Sequence, residues 1–232
     1  GSHFDLPVFI GILANIGKIK KMYNLKNYLI LGEISLNGKV KSVRGVINAT
    51  ILAKEKGIKG IIVPFENYNE ASLISEVEVV PVGEIRDVIS FLNEKIPKEE
   101  LYKLLVNKNM ENNIKKEEEI KNIDFSEIKG QYLAKRAMEI AAAGGHSVFL
   151  MGDPGSGKSM IAKRFITILP DMTEEEIIET TKIYSISGML SSTEPIIKKR
   201  PFRSPHHTAT QTAMVGGATR VGEITLALNG VF

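Results

Sequence analysis

Apolar positions fall into short clusters separated by turn residues across residues 4–95. Leu6–Ile16 is almost continuously apolar and predicts a buried helix. It is well short of the ~20 apolar residues that cross a bilayer, and no other run reaches that length. Tyr28–Leu36, rich in β-formers, predicts a strand. Asn37-Gly38 then predicts a tight turn with both residues at positive φ, and Val40–Val43 a return strand. Val46–Lys56 predicts a helix ended by Gly57. Gly60–Pro64 predicts a strand, Asn69–Ile74 a short helix, Val77–Val82 a strand and Glu84–Asn93 a helix. The alternation is that of a mixed α/β domain.

The pattern changes over residues 96–122, where Lys98-Glu99-Glu100 and Lys115-Lys116-Glu117-Glu118-Glu119 lie among few apolar residues. This predicts a solvated linker or an exposed helix; a binding arm is the alternative, weakened by the mixed sign of its charges. From Ile123 regular patterning returns. Gln131–Ala143 predicts a helix closed by Gly144 and Gly145, and Ser147–Met151 a short apolar strand. A helix is expected from Gly157 to Leu169, stopped by Pro170. Thr173 and Glu176 form a capping-box pair for a helix over Glu174–Tyr184. The remainder is rich in Gly, Pro, Ser and Thr. The expected domains are 1–95, the charged joint 96–122, and 123–232.

Composition narrows the class only modestly. The chain is 43% hydrophobic and 25% charged, as for globular proteins and unlike disordered ones. A net charge of +3 permits nucleic-acid binding without arguing for it. The absence of cysteine excludes disulfides and thiolate metal sites and fits a cytoplasmic protein.

The chemistry is concentrated in Gly152-Asp153-Pro154-Gly155-Ser156-Gly157-Lys158-Ser159. Gly-x4-Gly-Lys-Ser/Thr is the phosphate-binding loop, and each part has a mechanical reason. Glycines let the backbone curl with its N–H groups inward, and the following helix N-terminus favours anions. The lysine meets the β- and γ-phosphates, and the serine hydroxyl meets Mg²⁺. A nucleoside triphosphate with Mg²⁺ is therefore the expected ligand, on Gly152 through Ser159 with Ser159 the metal-side residue; that it is ATP is what the resemblance below implies. An apolar strand ending in an acid, needed to orient the attacking water, does not follow Ser159; the hydrolytic acid is expected just after Phe232, so weak binding and near-background hydrolysis are expected of these residues alone.

From Asp124 onward the chain resembles the magnesium-chelatase-like AAA+ ATPases, and within them the ComM (YifB) family. The likeness is carried by Ile128-Lys129-Gly130-Gln131, Ala134-Lys135-Arg136-Ala137, Ile140 through His146, the phosphate loop, Arg200 through Thr208, and Gly222 through Val231. Phe4-Asp5-Leu6-Pro7, Gly32 through Val40, Ala53 through Gly60 and Pro64 through Asn67 are similar to the N-terminal, Lon-protease-like domain of the same family. The resemblance implies a Lon-like α+β domain, cut at its N-terminus, followed by a P-loop NTPase (AAA+) parallel-sheet domain, cut at its C-terminus. It implies a ring, hexameric in the family, that hydrolyses ATP and acts on single-stranded or branched DNA in recombination and natural transformation, with no membrane. A chelatase subunit and a Lon-type protease are the alternatives. The Ser–Lys pair of Lon would fall near Asp5-Leu6-Pro7 and at Ile47, where neither residue type stands, so a non-proteolytic relative is expected. The resemblance also sets Gln131 and Ile128 where the family borders the adenine, which makes Ile128 a candidate contact for the base, and it makes Arg200, Arg203 and Arg220 candidate DNA contacts. His206-His207 reads as local hydrogen bonding in preference to a metal site.

Overall fold

The structure, a computed structural model, describes residues 2–112, 123–191, 194–218 and 220–232. The chain divides into two compact units: Gly1–Lys116 with Thr181–Ile197, and Glu117–Thr180 with Lys198–Phe232.

The first unit runs α1 (Asp5–Asn15), α2 (Met22–Asn27), β1 (Tyr28–Ile30), β2 (Glu33–Ile34), β3 (Val40–Lys41), α3 (Val46–Glu55), β4 (Gly60–Pro64), α4 (Tyr68–Ala71), β5 (Glu78–Val82), α5 (Ile85–Leu92) and α6 (Lys98–Asn112). Strands β1, β4 and β5 form a parallel sheet with β4 central, pairing Leu29 with Ile61 and Ile62 with Val80. All of β4 is buried, as expected of a strand paired on both edges and covered on both faces. The core gathers Ile62, Val80 and Val82 with Leu6 and Ile10 of α1, Val88 and Leu92 of α5, and Leu101 of α6.

Three expectations are corrected here. Tyr28–Leu36 is two strands, not one. Leu31 N–H still reaches the Ile62 carbonyl at 3.0 Å, but Gly32 then turns to residues before and within α1: its N–H donates to His3 O (3.2 Å) and its carbonyl accepts from Leu6 N–H (3.1 Å). A Cβ at Gly32 would lie 2.8 Å from Val40 and 2.9 Å from Leu6, so only glycine fits this approach. Beyond it, β2 pairs antiparallel with β3. The turn between them is present, but only Gly38 has positive φ (79°); Asn37 contributes through its side chain, whose Oδ1 accepts from Lys39 N–H at 3.3 Å. The third correction is to the linker reading of the charged stretch: Lys98–Asn112 form the helix that was its alternative, α6, largely exposed but with Leu101 and Leu105, one turn apart, buried on the first unit. Residues 113–122 lie outside the described residues.

In the second unit, α7 (Tyr132–Gly144) and α8 (Lys158–Phe165) are followed by α9 (Glu174–Ser187), of which the residues up to Thr180 belong here. Then come α10 (Gln211–Val215), β6 (Gly216–Gly217), β7 (Arg220–Val221) and α11 (Glu223–Leu226). The capping box forms as expected: Thr173 N–H donates to Glu176 Oε2 at 2.9 Å and Glu176 N–H to Thr173 Oγ1 at 3.2 Å. The core is small, built from Phe125, Ile128, Met138, Ala141, Ile161 and Phe165.

The strand expected at Ser147–Met151 is absent. A strand exists only through a partner ladder, and no described residue pairs with this segment. Phe149 and Met151 are each 87% exposed. The parallel sheet therefore belongs to the first unit; among the described residues the second holds only the β6–β7 ribbon and one parallel bridge, Phe202 to Val231.

Candidate phosphate-binding site

The phosphate loop connects the unpaired segment to α8. Gly155 and Gly157 have φ of 80° and 89°, left-handed values that side chains resist. Gly157 is the N-cap of α8, and its carbonyl accepts from Ile161 N–H at 3.0 Å, so the helix starts at Lys158. A Cβ on Gly155 would meet nothing within 4 Å; its glycine is demanded by backbone angle, not by crowding. Asp153 O accepts from Ser156 N–H at 3.2 Å and closes the turn. Pro154 has no N–H to give and fixes its own φ there.

Lys158 curls back over the loop. Its ammonium donates to the Gly152 and Asp153 carbonyls, both at 2.7 Å, and to Ser156 Oγ at 3.3 Å. A cation is thereby held over a concave run of backbone at a helix N-terminus, the arrangement that receives an anion. Ser159, in the first turn of α8, is exposed. Beside Lys158 and Ser159 lies a cavity of about 600 Å³, walled by Met138, Ala141, His146, Phe165 and Val231. A magnesium–nucleotide fits this donor set: loop N–H groups and an ammonium for phosphate, one hydroxyl for the cation.

Ile128 is only 2% exposed and packs in the core, and its carbonyl accepts from Lys135 Nζ at 3.1 Å. The neighbouring Gln131, expected with Ile128 at the border of the adenine, reaches toward the phosphate loop. Its side-chain amide donates to Ser156 O at 3.2 Å, from the start of α7 to the loop.

The three candidate DNA arginines differ. Arg200 makes a bidentate pair with Glu176, both contacts 3.1 Å, and donates to Pro170 O (2.6 Å) and Asn229 O (2.8 Å). Arg203 grips Glu223 at 2.6 and 2.7 Å. Hydrogen bonding from each arginine holds the Glu176 and Glu223 carboxyls below the usual range. Arg220 is exposed. His206 shares a 2.7 Å hydrogen bond with Thr208 Oγ1 while its ring stacks 4.1 Å from that of His207; no metal-ligating cluster occurs among the described residues.

In the first unit Ile47 is fully buried, with its N–H on Glu70 Oε1 at 2.9 Å. Glu70, 2% exposed, also accepts from Asn67 Nδ2 at 3.0 Å and from Ser185 Oγ. Glu70 is not among the residues singled out from the sequence. The signal available was its place after a buried strand, in a stretch too short for a fully solvated helix. No helix among the described residues is long and apolar enough to cross a membrane.

Residues 124–232 match the family described as magnesium chelatase, subunit ChlI, and residues 1–67 the family described as subunit ChlI of Mg-chelatase. The whole chain is 42% identical, over 236 residues, to competence protein ComM of Haemophilus influenzae, of which it covers 44%. It is 37% identical, over 234 residues, to the uncharacterized protein YifB of Escherichia coli, again covering 44%. The chain thus spans less than half the length of these curated relatives. A shorter match, 38% over 103 residues, links 43% of the chain to 18% of Lon protease 2 of Bacillus subtilis. With residues 1–67 and 124–232 matched and the full chain aligned to these relatives, the chain belongs to the ComM/YifB family of magnesium-chelatase-like proteins.

Proposed function

We propose that this chain binds Mg²⁺–ATP on Gly152–Ser159 as part of a cytoplasmic AAA+ ATPase that self-associates into a ring and acts on DNA during recombination and natural transformation. The observation that carries the reading is the loop itself: two left-handed glycines, a helix starting at Lys158, and an ammonium already poised over the loop. On binding, Lys158 exchanges the Gly152 and Asp153 carbonyls for β- and γ-phosphate oxygens. Loop N–H groups take the remaining phosphate oxygens, and the Ser159 hydroxyl faces the cation. Ser159 would hold Mg²⁺ there, and the ion would supply neutralisation of the charge that develops on the phosphates. The hydrolytic acid is supplied by residues other than those described, and Ile128 supports the base side by packing.

The DNA side is supported by the relative named for competence. Of the three candidate arginines, Arg220 is the exposed one; Arg200 and Arg203 reach phosphates only by giving up their carboxylates. The two family descriptions favour a second reading, an ATPase subunit of a chelatase acting on a porphyrin. Fluorescence anisotropy separates them. Binding of a labelled single strand or four-way junction, weakened by salt and by Arg220→Ala, supports the DNA reading. Binding of a porphyrin with no response to either DNA supports the chelatase and overturns the first.

A further inference from the structure

Gln131 is one of only three non-glycine residues with positive φ among the described residues. Its φ of 52° and ψ of 39° follow Gly130 at φ 67°, so two left-handed residues stand in succession at the start of α7. Glycine or asparagine would occupy such a position with less strain than glutamine. The backbone role there is ordinary: the Gln131 carbonyl accepts from Lys135 N–H at 2.9 Å, which any residue could do. The side chain does something else. It carries an amide donor out to the Ser156 carbonyl at 3.2 Å.

Ser156 O belongs to the peptide that continues as Gly157 N–H, and no cis peptide bond occurs among the described residues. In a trans peptide the N–H lies antiparallel to the C=O. Fastening the carbonyl toward Gln131 therefore fixes the N–H of Gly157 in the opposite direction, at the N-cap of α8, where a phosphate loop presents its donors. With φ of 89°, Gly157 is free to rotate unless something holds this peptide. We infer that Gln131 is a positioning residue, which sets the Ser156–Gly157 peptide so that the loop is formed before phosphate arrives. This rests on the phosphate-loop reading above and concerns how tightly that site holds the polyphosphate part of its ligand, independent of the base.

The test uses a ligand without a base. Binding of tripolyphosphate and of Mg²⁺–ATP is measured by calorimetry for the parent, Gln131→Gly, Gln131→Glu and Lys158→Ala. Gln131→Gly removes the tether while relieving the backbone angle, so its melting temperature does not fall. Its affinity drops about fivefold, equally for both ligands, which is the scale of one exposed hydrogen bond. Gln131→Glu, which turns an oxygen toward Ser156 O, binds both more weakly still. Parental affinity for tripolyphosphate in Gln131→Gly overturns the inference, and so does a loss confined to ATP, which would make Gln131 a base contact. Tripolyphosphate binding that survives Lys158→Ala, or is absent from the parent, instead removes the phosphate-loop reading and this inference with it.

Discussion

Gly60–Pro64 and Ser147–Met151 look alike as sequence: short apolar runs, each followed by the start of a helix or turn. In the structure they have opposite fates. The first is the middle strand of a parallel sheet, buried throughout, hydrogen-bonded to β1 on one side and β5 on the other. The second has no partner among the described residues and leaves Phe149 and Met151 in solvent. The difference lies in the neighbours. The first unit brings two flanking strands from nearby sequence, whereas the described residues of the second offer Ser147–Met151 no flanking strand. An apolar run becomes a strand when a partner is present and remains an extended segment when it is not.

Substitutions sharpen that contrast, the largest effect coming from the paired strand. Ile62→Ala removes a fully buried side chain at the centre of the sheet and is expected to cost about 2–5 kcal/mol in urea denaturation. Next is Glu70→Ala, which strips the shared acceptor from Ile47 N–H, Asn67 and Ser185. Buried donors left unpaired should cost about 2–3 kcal/mol, and Glu70→Gln should recover part of it.

In the second unit, Arg200→Ala loses the Glu176 pair and the Pro170 and Asn229 carbonyls, with about 1–2 kcal/mol expected from charge-assisted bonds at a partly exposed site. This effect carries a pH signature. The Glu176 carboxyl sits below its ordinary value of 4.5 when folded, mainly through hydrogen bonding from Arg200. A lowered folded value means that the pair stabilises fully above the unfolded value and loses this contribution as pH falls through the folded one. The gap in melting temperature between parent and Arg200→Ala should therefore be constant near neutrality and shrink below pH 4.5. The smallest effect is expected at Phe149→Ala, within about 0.5 kcal/mol, because the side chain is already exposed. A cost like that of Ile62→Ala would mean that the segment is buried after all.

The same contrast explains what was legible. Local signals were read correctly where the chain satisfies them locally: the Gly57 stop after α3, the Thr173–Glu176 box, the place though not the backbone angles of the Asn37-Gly38 turn, the helix after the phosphate loop. What failed depended on distant residues. Gly32 breaks a strand because Leu6 and Val40 press on it, and Leu101 and Leu105 of α6 are buried because β5 offers that helix a surface. The site was visible as a motif, since its glycines and lysine encode a local backbone shape. Its tether was not, because nothing in the spacing of Gln131 and Ser156 says that one side chain ends on the other's carbonyl. Likewise the charge of Arg200 and Arg203 was visible, but their carboxylate partners were not.

The claim on which the functional account stands is that this loop, in this setting, holds a nucleotide. Calorimetric titration of Mg²⁺–ATP into the chain and into Lys158→Ala, side by side, tests it directly. The account predicts saturable, weak binding by the parent and none by the variant, which loses the one ammonium poised over Gly152 and Asp153. Equal binding by both, or none by the parent, would contradict it.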